Sequence, residues 1–240
     1  RGFEMLSRYI EAASSYAADV DNLIWLILVI VGVWFVIAQA IFFGFIIRFA
    51  KKDGQRAKYV AGEAKHEKKW VAYPHYAVLI FDVVIIVAAM KVWQTVKLTM
   101  PQADATVRVI VQQWAWTFVH PGLDGKLDTL DDIRIVDELH VEKDKTYHFE
   151  LQSRDVLHSF SVPAFRLKQD VVPGRTIKGW FKPTMAGGFD IQCAEMCGIG
   201  HGIMAARVII ETADQHAAWM KANTSMNALA PAGTNLGDTP

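Results

Sequence analysis

Two long stretches of apolar residues dominate the first half of the chain. The first stretch, Asn22–Ile47, holds 26 residues without one charged side chain. The second stretch, Val71–Met90, is flanked by Trp70 and Trp93, and tryptophan is favoured at both surfaces of a bilayer. Since a membrane-spanning helix needs about 20 apolar residues, the pattern predicts a transmembrane helical hairpin over residues 22–98. A buried helical hairpin of a soluble protein is the alternative, which the uncharged length of the first stretch disfavours.

The segment between the two stretches, residues 48–69, is strongly basic. It holds eight Lys and Arg residues against three acids. Positively charged loops stay on the cytoplasmic side of a membrane. We therefore expect a cytoplasmic loop at 48–69, with the N-terminal segment 1–21 and the chain after residue 98 on the opposite, periplasmic or outer, side.

The second apolar stretch carries one acid near its middle. Asp82 lies there, with His75 two turns earlier on the same helical face. A carboxylate in hydrocarbon is costly, so we expect Asp82 to face protein or trapped water, which implies a large membrane partner. A structural hydrogen bond to a neighbouring helix is the plainer interpretation.

After Met100 and Pro101 the pattern changes to short alternating segments. Residues 107–112 and 146–151 place apolar side chains at alternate positions, and Gly-containing pairs punctuate the chain between such segments. This pattern predicts a small antiparallel sandwich or barrel over residues 99–222. The composition of residues 223–240, rich in Ala, Asn, Gly, Pro and Thr, predicts a flexible tail.

The overall charge excludes one class of partner. The chain has 25 Lys and Arg against 25 Asp and Glu, a formal net charge of zero. A neutral chain lacks the basic footprint of a nucleic-acid-binding protein. The sequence also lacks a Cys-x-x-Cys-His motif, so no covalently attached haem is expected within these residues.

The most informative residues lie in the segment Gln192–Met204. It contains both cysteines of the chain, together with one histidine and one methionine, and a further histidine lies upstream in Asp155–Phe160. Thiolate, imidazole and thioether are the ligands of copper sites in electron-transfer proteins. The five candidate ligands are Cys193, Cys197, His158, His201 and Met204.

This ligand set is too large for one copper ion. It suits two coppers bridged by two thiolates, with a terminal histidine on each. A Cys193–Cys197 disulfide and a zinc site of two cysteines and two histidines are the alternatives. Methionine favours copper over zinc. We interpret the remaining candidates His120, His140, His148 and His216, which show no ligand spacing, as ordinary surface or loop histidines.

The same residues resemble a known family. The run CAEMCGIGHGIM, with DVLHSFSVPAFRLKQDVVPGR before it, is similar to the dinuclear copper (CuA) domain of cytochrome c oxidase subunit II. The resemblance extends from about Asn22 to Trp219 and so includes the two-helix anchor. It implies two N-terminal transmembrane α-helices followed by an all-β, cupredoxin-like Greek-key barrel. It also implies that Met204 is a weak axial ligand of one copper.

The resemblance gives Glu195, between the two cysteines, two roles. Its backbone carbonyl would bind the other copper, and its side chain would bind a magnesium ion at the interface with subunit I. A carboxylate suits magnesium, which prefers oxygen ligands. An ordinary surface glutamate is the alternative for the side chain.

An aromatic run, Gln113–Phe118, matches the place where electrons enter proteins of that family. By this match Trp114 is the point of electron transfer from the donor. The alternation also predicts that Trp114 and Trp116 share one face of a strand, and aromatic pairs at this spacing are usually core packing.

Acidic residues are concentrated in the segment Asp124–Asp144, with eight acids and three bases. Such a patch steers a basic cytochrome c, although most charge runs are only solvated loops. The resemblance adds Asp155 as a docking acid. The candidate docking residues are Asp124, Asp128, Asp131, Asp132 and Asp155.

Glu67, at the start of the second apolar stretch, matches the position of a carboxylate at the mouth of a proton pathway into subunit I. The alternative is a solvated glutamate in a basic loop.

Taken together, these residues predict subunit II of a haem–copper cytochrome c oxidase, the electron-transfer subunit of a proton-translocating oxidoreductase. It would take electrons from cytochrome c, or a cytochrome c domain, and pass them to haem in subunit I, where oxygen is reduced to water. Subunits I and III and membrane lipid are the implied partners, in a respiratory membrane that we expect to be a bacterial plasma membrane.

Three other functions compete with this prediction. The CuA subunit of a nitric oxide reductase-type complex is the nearest, whereas the two-helix anchor and the lack of a large catalytic domain argue against nitrous oxide reductase. A non-enzymatic membrane protein with a disulfide is the third. The copper ligands argue against a quinol oxidase.

Overall fold

The computed structural model describes residues 11–54, 56 and 60–229. The chain divides into two compact units. One is the helical unit Asp19–Thr95, and the other joins the residues up to Ala18 with those from Val96 onward. Lys58 of the basic loop, the first ten residues of the predicted N-terminal segment and residues 230–240 of the predicted tail lie outside the described residues.

Two long helices enclose the predicted apolar stretches. Helix α1 spans Ala17–Arg48 and helix α2 spans Lys65–Trp93, followed by a π-helical turn at Gln94–Leu98. Both are long and apolar enough to cross a membrane. They pack against each other at Trp34 and Phe81, whose rings meet edge to face at 5.8 Å.

Glu67 helps to begin helix α2. The backbone N–H of Ala64 donates a hydrogen bond to the Glu67 carboxylate at 3.2 Å. A carboxylate in the first turn satisfies one of the donors that the helix itself leaves unpaired. Glu67 therefore has a structural contact at the start of the helix, and its part in a proton pathway stays a prediction.

The outer unit is built from two five-stranded sheets. In the described part of the chain the strands are β1 (Ala105–Gln112), β2 (Ala115–His120), β3 (Ile133–Val136), β4 (Glu138–Glu142), β5 (Tyr147–Ser153), β6 (His158–Val162), β7 (Leu167–Val171), β8 (Ile177–Phe181), β9 (Gly187–Cys193) and β10 (Ala205–Glu211). The first sheet has the order β3-β2-β1-β5-β8, and the second has the order β4-β10-β9-β6-β7.

Two strand pairs correct the expectation of a purely antiparallel sandwich. Strand β1 pairs with β5, and β4 pairs with β10, in parallel. The chain passes from one sheet to the other several times, so strands that are distant in sequence become neighbours. Parallel neighbours require such crossovers, which local alternation does not reveal.

The core lies between the two sheets and follows the alternation in the sequence. Val107, Val109 and Val111 of β1 point inward, as do Phe149 and Leu151 of β5, and all five are essentially inaccessible to solvent. Burying each such side chain contributes about 1.5–3 kcal/mol. In the second sheet β9 lies between β10 and β6, which brings the end of β9 close to the start of β6 and the start of β10.

The segment just before α1 belongs to the outer unit. Ser14 forms an isolated bridge with Pro183, and Ala13 N–H donates to the carbonyl of Ala164 at 2.8 Å. Tyr16 is buried, with its ring edge-on to Trp180 at 5.2 Å. Part of the predicted N-terminal segment 1–21 is therefore integrated into the β-structure.

A C-terminal helix, α3 (Ala213–Leu229), crosses the predicted boundary between domain and tail. Residues 223–229, which we expected in a flexible tail, are helical. The helix begins with reciprocal contacts between Thr212 and Gln215, including Thr212 N–H to Gln215 Oε1 at 3.0 Å, a capping-box arrangement. It contains neither glycine nor proline, so its Ala-rich sequence continues the helix past residue 222.

Three histidines that we interpreted as surface residues instead form a cluster around α3. His120 on β2 and His140 on β4 are buried, and His216 lies on α3 beside Trp219. The Trp219 ring stacks on His140 at 4.3 Å and meets His120 edge to face at 5.0 Å. His140 and His216 each place Nδ1 2.9 Å from the Glu211 carboxylate. Only the folded sheet and helix bring these positions together.

His120 makes the stability of the outer unit depend on pH. Burial, together with the electrostatic influence of the neighbouring His140 and His216, lowers the pKa of His120 to about 3. The ordinary histidine pKa is 6.5, so the folded state disfavours the protonated ring. The contribution of neutral His120 is therefore complete above about pH 6.5 and is lost as the pH falls toward 3.

We predict that the unfolding free energy falls between pH 7.5 and pH 5.0, and that His120→Gln reduces this fall by up to about 2 kcal/mol. Denaturant unfolding of the detergent-solubilised chain, followed by tryptophan fluorescence, measures the difference. His66→Gln, at an exposed position of α2, is the matched control and should keep the wild-type dependence. Parallel wild-type and His120→Gln curves would contradict the prediction.

Candidate metal centre

The two cysteines lie side by side at the loop that connects β9 to β10. This loop, residues 194–204, is called the metal loop. Cys193 is the last residue of β9, and Cys197 follows in the loop. Both are free and buried, at 8% and 2% exposure, and their Sγ atoms are 3.7 Å apart. The loop turns sharply at Gly198, whose φ of 113° is a conformation that favours glycine.

Each sulfur has an imidazole beside it. His158 Nδ1 lies 3.9 Å from Cys193 Sγ, and His201 Nδ1 lies 3.6 Å from Cys197 Sγ. Met204 Sδ is 3.8 Å from Cys197 Sγ. The structure therefore brings the five predicted ligands together, in two halves that share the sulfur pair.

The backbone carbonyl of Glu195 approaches the same cluster. It lies 3.3 Å from Cys193 Sγ, on the half that lacks the methionine. The Glu195 side chain is half-buried. The structure thus places the predicted carbonyl donor at the cluster, whereas the described residues hold no magnesium ligand set around the carboxylate.

The donor atoms fit a metal centre. Ligand atoms of His158, Cys193 and Cys197 all lie within 4.8 Å of one another. The sulfur–sulfur distance of 3.7 Å is less than twice a metal–thiolate bond of about 2.3 Å, so one ion can contact both sulfurs. A soft donor set of this kind, with a thioether, favours copper.

Burial, together with the neighbouring Cys193, raises the pKa of Cys197 to about 11. Without a metal the Cys197 thiol therefore holds its proton. Metal binding must displace that proton, which couples occupancy of the site to pH.

Asp155 fixes the orientation of His158. Its Oδ1 atom accepts from His158 Nε2 at 2.9 Å, which leaves Nδ1 directed at the sulfurs. Burial acts to raise the pKa of Asp155, but hydrogen bonds from Gln113, His158 and Val156 outweigh it and leave that pKa below its ordinary value. An ionised carboxylate behind a ligand histidine is a common device for holding the ring.

Trp114 does not lie on a strand, which corrects the prediction that it shares a strand face with Trp116. Gln113 and Trp114 form the two-residue turn between β1 and β2, where Gln112 pairs with Ala115. The turn interrupts the alternation, so Trp116 is fully buried against Phe160 while Trp114 is 39% exposed.

The same turn holds the metal loop. Trp114 Nε1 donates to the Cys197 carbonyl at 3.2 Å, and Gln113 Nε2 donates to the same oxygen at 2.8 Å. The indole also fills the space in which a side chain at Gly200 would begin. Trp114 is therefore partly exposed on one side and bonded to a ligand residue on the other.

Three of the predicted docking acids, Asp128, Asp131 and Asp132, are engaged in contacts within the outer unit. Asp128 forms a two-pronged ion pair with Arg108, with Nη2 to Oδ2 at 3.0 Å. Asp131 accepts from Thr129 at 2.6 Å, and Asp132 accepts from the Asp128 N–H at 2.9 Å. Asp124 is exposed and accepts only a local backbone N–H, at 2.8 Å. These contacts stabilise the segment; Asp124 and Asp128 are exposed, whereas Asp131 and Asp132 are half-buried.

The loop that carries Cys197 also has an apolar rim, which was not predicted from the sequence. Met196, Ile199 and Ile203 are 72%, 95% and 85% exposed. Three large apolar side chains beside the glycines of a ligand loop are the signal that could have revealed it. Exposed apolar side chains grouped beside a candidate metal site favour a contact surface.

The sequence profile for the periplasmic domain of cytochrome c oxidase subunit II matches residues 105–213. The alternative cytochrome c oxidase subunit 2 of Bradyrhizobium diazoefficiens is 34% identical over 222 residues, covering 80% of this chain and 78% of that protein. The probable cytochrome c oxidase subunit 2 of Rickettsia prowazekii is 30% identical over 220 residues, covering 83% and 67%.

Among solved structures, the periplasmic domain of subunit II of cytochrome oxidase from Bradyrhizobium japonicum is 26% identical. It covers 53% of this chain and 99% of that chain, with a TM-score of 0.48.

The matched profile covers β1 to β10, and the two Bradyrhizobium and Rickettsia relatives also span most of the chain. The predicted fold class, two N-terminal apolar helices followed by a cupredoxin-like β-domain, is confirmed. The chain is a membrane-anchored protein with a periplasmic domain, and by its sequence it belongs to the cytochrome c oxidase subunit II family.

Proposed function

We propose that this chain is the electron-accepting subunit of a haem–copper cytochrome c oxidase and that its metal loop holds a dinuclear copper centre. The observation that carries the proposal is the pair of buried sulfurs 3.7 Å apart, each with its own imidazole. Two coppers bridged by thiolates supply one-electron storage with the charge shared between both ions.

The side chains divide the work of holding the two ions. Cys193 and Cys197 bridge them, His158 and His201 bind one each, and Met204 completes one half. The Glu195 carbonyl completes the other half. Burial of both sulfurs excludes water, and the Asp155–His158 contact prevents rotation of one ligand ring. A site held in this way changes little in shape when its charge changes, which favours fast electron transfer.

Trp114 is the proposed point at which electrons arrive. Its ring is 39% exposed, and its Nε1–H bonds the carbonyl of ligand residue Cys197. An electron donor in contact with the indole is thus connected to Cys197 through the Trp114 ring and its hydrogen bond to the Cys197 carbonyl.

The donor we propose is a basic cytochrome c. The apolar rim of Met196, Ile199 and Ile203 offers a dry contact, and acids such as Asp124 supply a negative field that steers a positive partner. The main role of Asp155 is to hold the His158 ring through its hydrogen bond. Because 28% of its side chain is exposed, its negative charge also contributes to docking. Asp128 contributes less, because Arg108 compensates its charge.

The remaining steps belong to partner chains. Electrons pass to haem in subunit I, where oxygen is reduced to water with proton translocation, and subunit III completes the complex. The half-buried Glu195 carboxylate is a candidate magnesium ligand at the contact with subunit I. The complex lies in a respiratory membrane, with the copper domain outside.

Glu67, at the start of α2 in the basic segment, is the proposed collector of protons at the mouth of a channel in subunit I.

We predict that the detergent-solubilised chain, reduced and titrated with copper, binds two coppers and gives a mixed-valence EPR signal. Cys193→Ser removes one bridge and should leave at most one copper. His148→Gln is the control, because His148 bonds the Pro101 carbonyl at 2.8 Å, away from the metal loop. One copper or zinc per chain, or a Cys193–Cys197 disulfide in the native protein, overturns the proposed centre.

We predict that Trp114→Ala slows electron uptake from a basic cytochrome c by at least about tenfold, which is about 1.4 kcal/mol in the barrier, while binding weakens much less. Stopped-flow reduction of the copper centre measures the rate. The double variant Asp124→Asn/Asp128→Asn should instead flatten the salt dependence of association and leave the rate within the complex unchanged.

Trp114→Phe separates the two roles of the indole, since it keeps a ring without the N–H donor. Unchanged electron transfer in Trp114→Ala, at a normal copper signal, would assign Trp114 to packing alone. An unchanged salt dependence in the double variant removes these acids from the docking surface.

We predict that Glu67→Gln lowers oxidase turnover while reduction of the copper centre by cytochrome c stays intact. Glutamine keeps a carbonyl that can accept the Ala64 N–H bond, so the start of α2 is preserved while the exchangeable proton is lost. Glu63→Gln, an exposed acid of the same segment, is the control. Full turnover of Glu67→Gln at every pH tested leaves Glu67 with its helix-capping role only.

A further inference from the structure

Asp82 is an isolated acid deep within the second apolar helix. Between Tyr76 and Lys91 it is the only ionisable side chain of α2. At 1.5 Å per residue it lies about 12 Å along the axis from Met90, the nearer end of the apolar stretch. An aspartate side chain has a single methylene group, so its carboxylate cannot reach the membrane surface over that distance.

The hairpin itself leaves Asp82 uncovered. Helix α1 meets α2 at Phe81, through the edge-to-face contact with Trp34. Successive residues of an α-helix are rotated by about 100°, so Asp82 is turned away from that contact, and its side chain is exposed in the chain. Within the described ranges Asp82 forms no hydrogen bond or ion pair. The stretch Asn22–Ile47 of α1 has no charged residue to offer.

The face that carries Asp82 has a second polar residue. His75 lies seven positions earlier, which places it within about 20° of Asp82 around the helix axis, and it is likewise exposed. Ionisable residues within membrane spans are rare, and they face protein or water rather than lipid. This face of α2 is therefore a contact surface with another protein and not a surface for lipid.

The chemistry of the carboxylate specifies its partner. An ionised carboxylate in a low-dielectric setting needs a compensating positive charge together with hydrogen-bond donors. We propose that Asp82 pairs with an arginine or lysine on a transmembrane helix of the large haem-bearing subunit, at mid-membrane depth, and that this pair fixes the second helix in the complex. The proposal rests on the proposed function, because it requires that subunit.

The pairing is tested in the complete oxidase with full-length chains. At equal amounts of this chain in the membrane, Asp82→Asn and Asp82→Leu should each lower the amount of large subunit that co-purifies by at least about fivefold, because removing one partner of a buried ion pair leaves the other charge uncompensated. Val84→Leu, at an exposed apolar position two residues further on, is the matched control and should assemble normally.

A photoreactive amino acid at position 82 identifies the partner. The cross-linked peptide should come from a transmembrane helix of the large subunit and contain an Arg or Lys within one helical turn of the attachment point. Exchanging the charges, with Asp82→Lys and the identified base replaced by aspartate, should then restore co-purification. Cross-links to lipid alone or to another chain, or normal assembly of Asp82→Asn, overturn the proposal.

Copper content and the EPR signal of the same preparations separate this inference from the proposed function. If the wild-type chain lacks the mixed-valence signal, the proposed function is wrong, regardless of how the Asp82 variants assemble. A chain with an intact signal whose Asp82 variants assemble normally defeats only the ion pair.

Discussion

The close approach of two buried thiols is the constraint on which the outer unit depends. Buried thiols 3.7 Å apart hold their relative positions only if the loop between them is fixed. The sandwich fixes it from both sides, through Cys193 N–H to the Met204 carbonyl at 3.2 Å and Ala194 N–H to the Ser159 carbonyl at 3.0 Å. Each such hydrogen bond contributes about 1 kcal/mol. Together they give a metal a site that needs little rearrangement.

The two units of the chain differ in where their apolar side chains lie. The outer unit buries its aromatic and branched side chains between its own sheets. In α2, by contrast, no described side chain is buried within the chain. The outer unit therefore carries its own core, whereas the hairpin exposes its apolar side chains to its surroundings.

Much of this organisation could be predicted from the sequence, because it is written in short-range patterns. The helical hairpin is predicted by the length of the two apolar stretches. Most of the ligand set is predicted by the cysteine, histidine and methionine residues grouped in one short segment. The position of Trp114 could not be predicted, since a two-residue turn between Gln112 and Ala115 looks like continued alternation. The cluster of His120, His140 and His216 was also missed, because strands of both sheets and a helix must assemble before these residues meet.

Gln113 connects the two halves of the ligand set. Its backbone N–H bonds the Asp155 carboxylate at 2.6 Å, and Asp155 in turn holds His158. Its side chain bonds the Cys197 carbonyl at 2.8 Å. Substitutions at Asp155 and at the loop around Cys197 therefore share a partner. Their effects should not add, and a double-mutant cycle across Gln113 should show a coupling energy of about 0.5–3 kcal/mol.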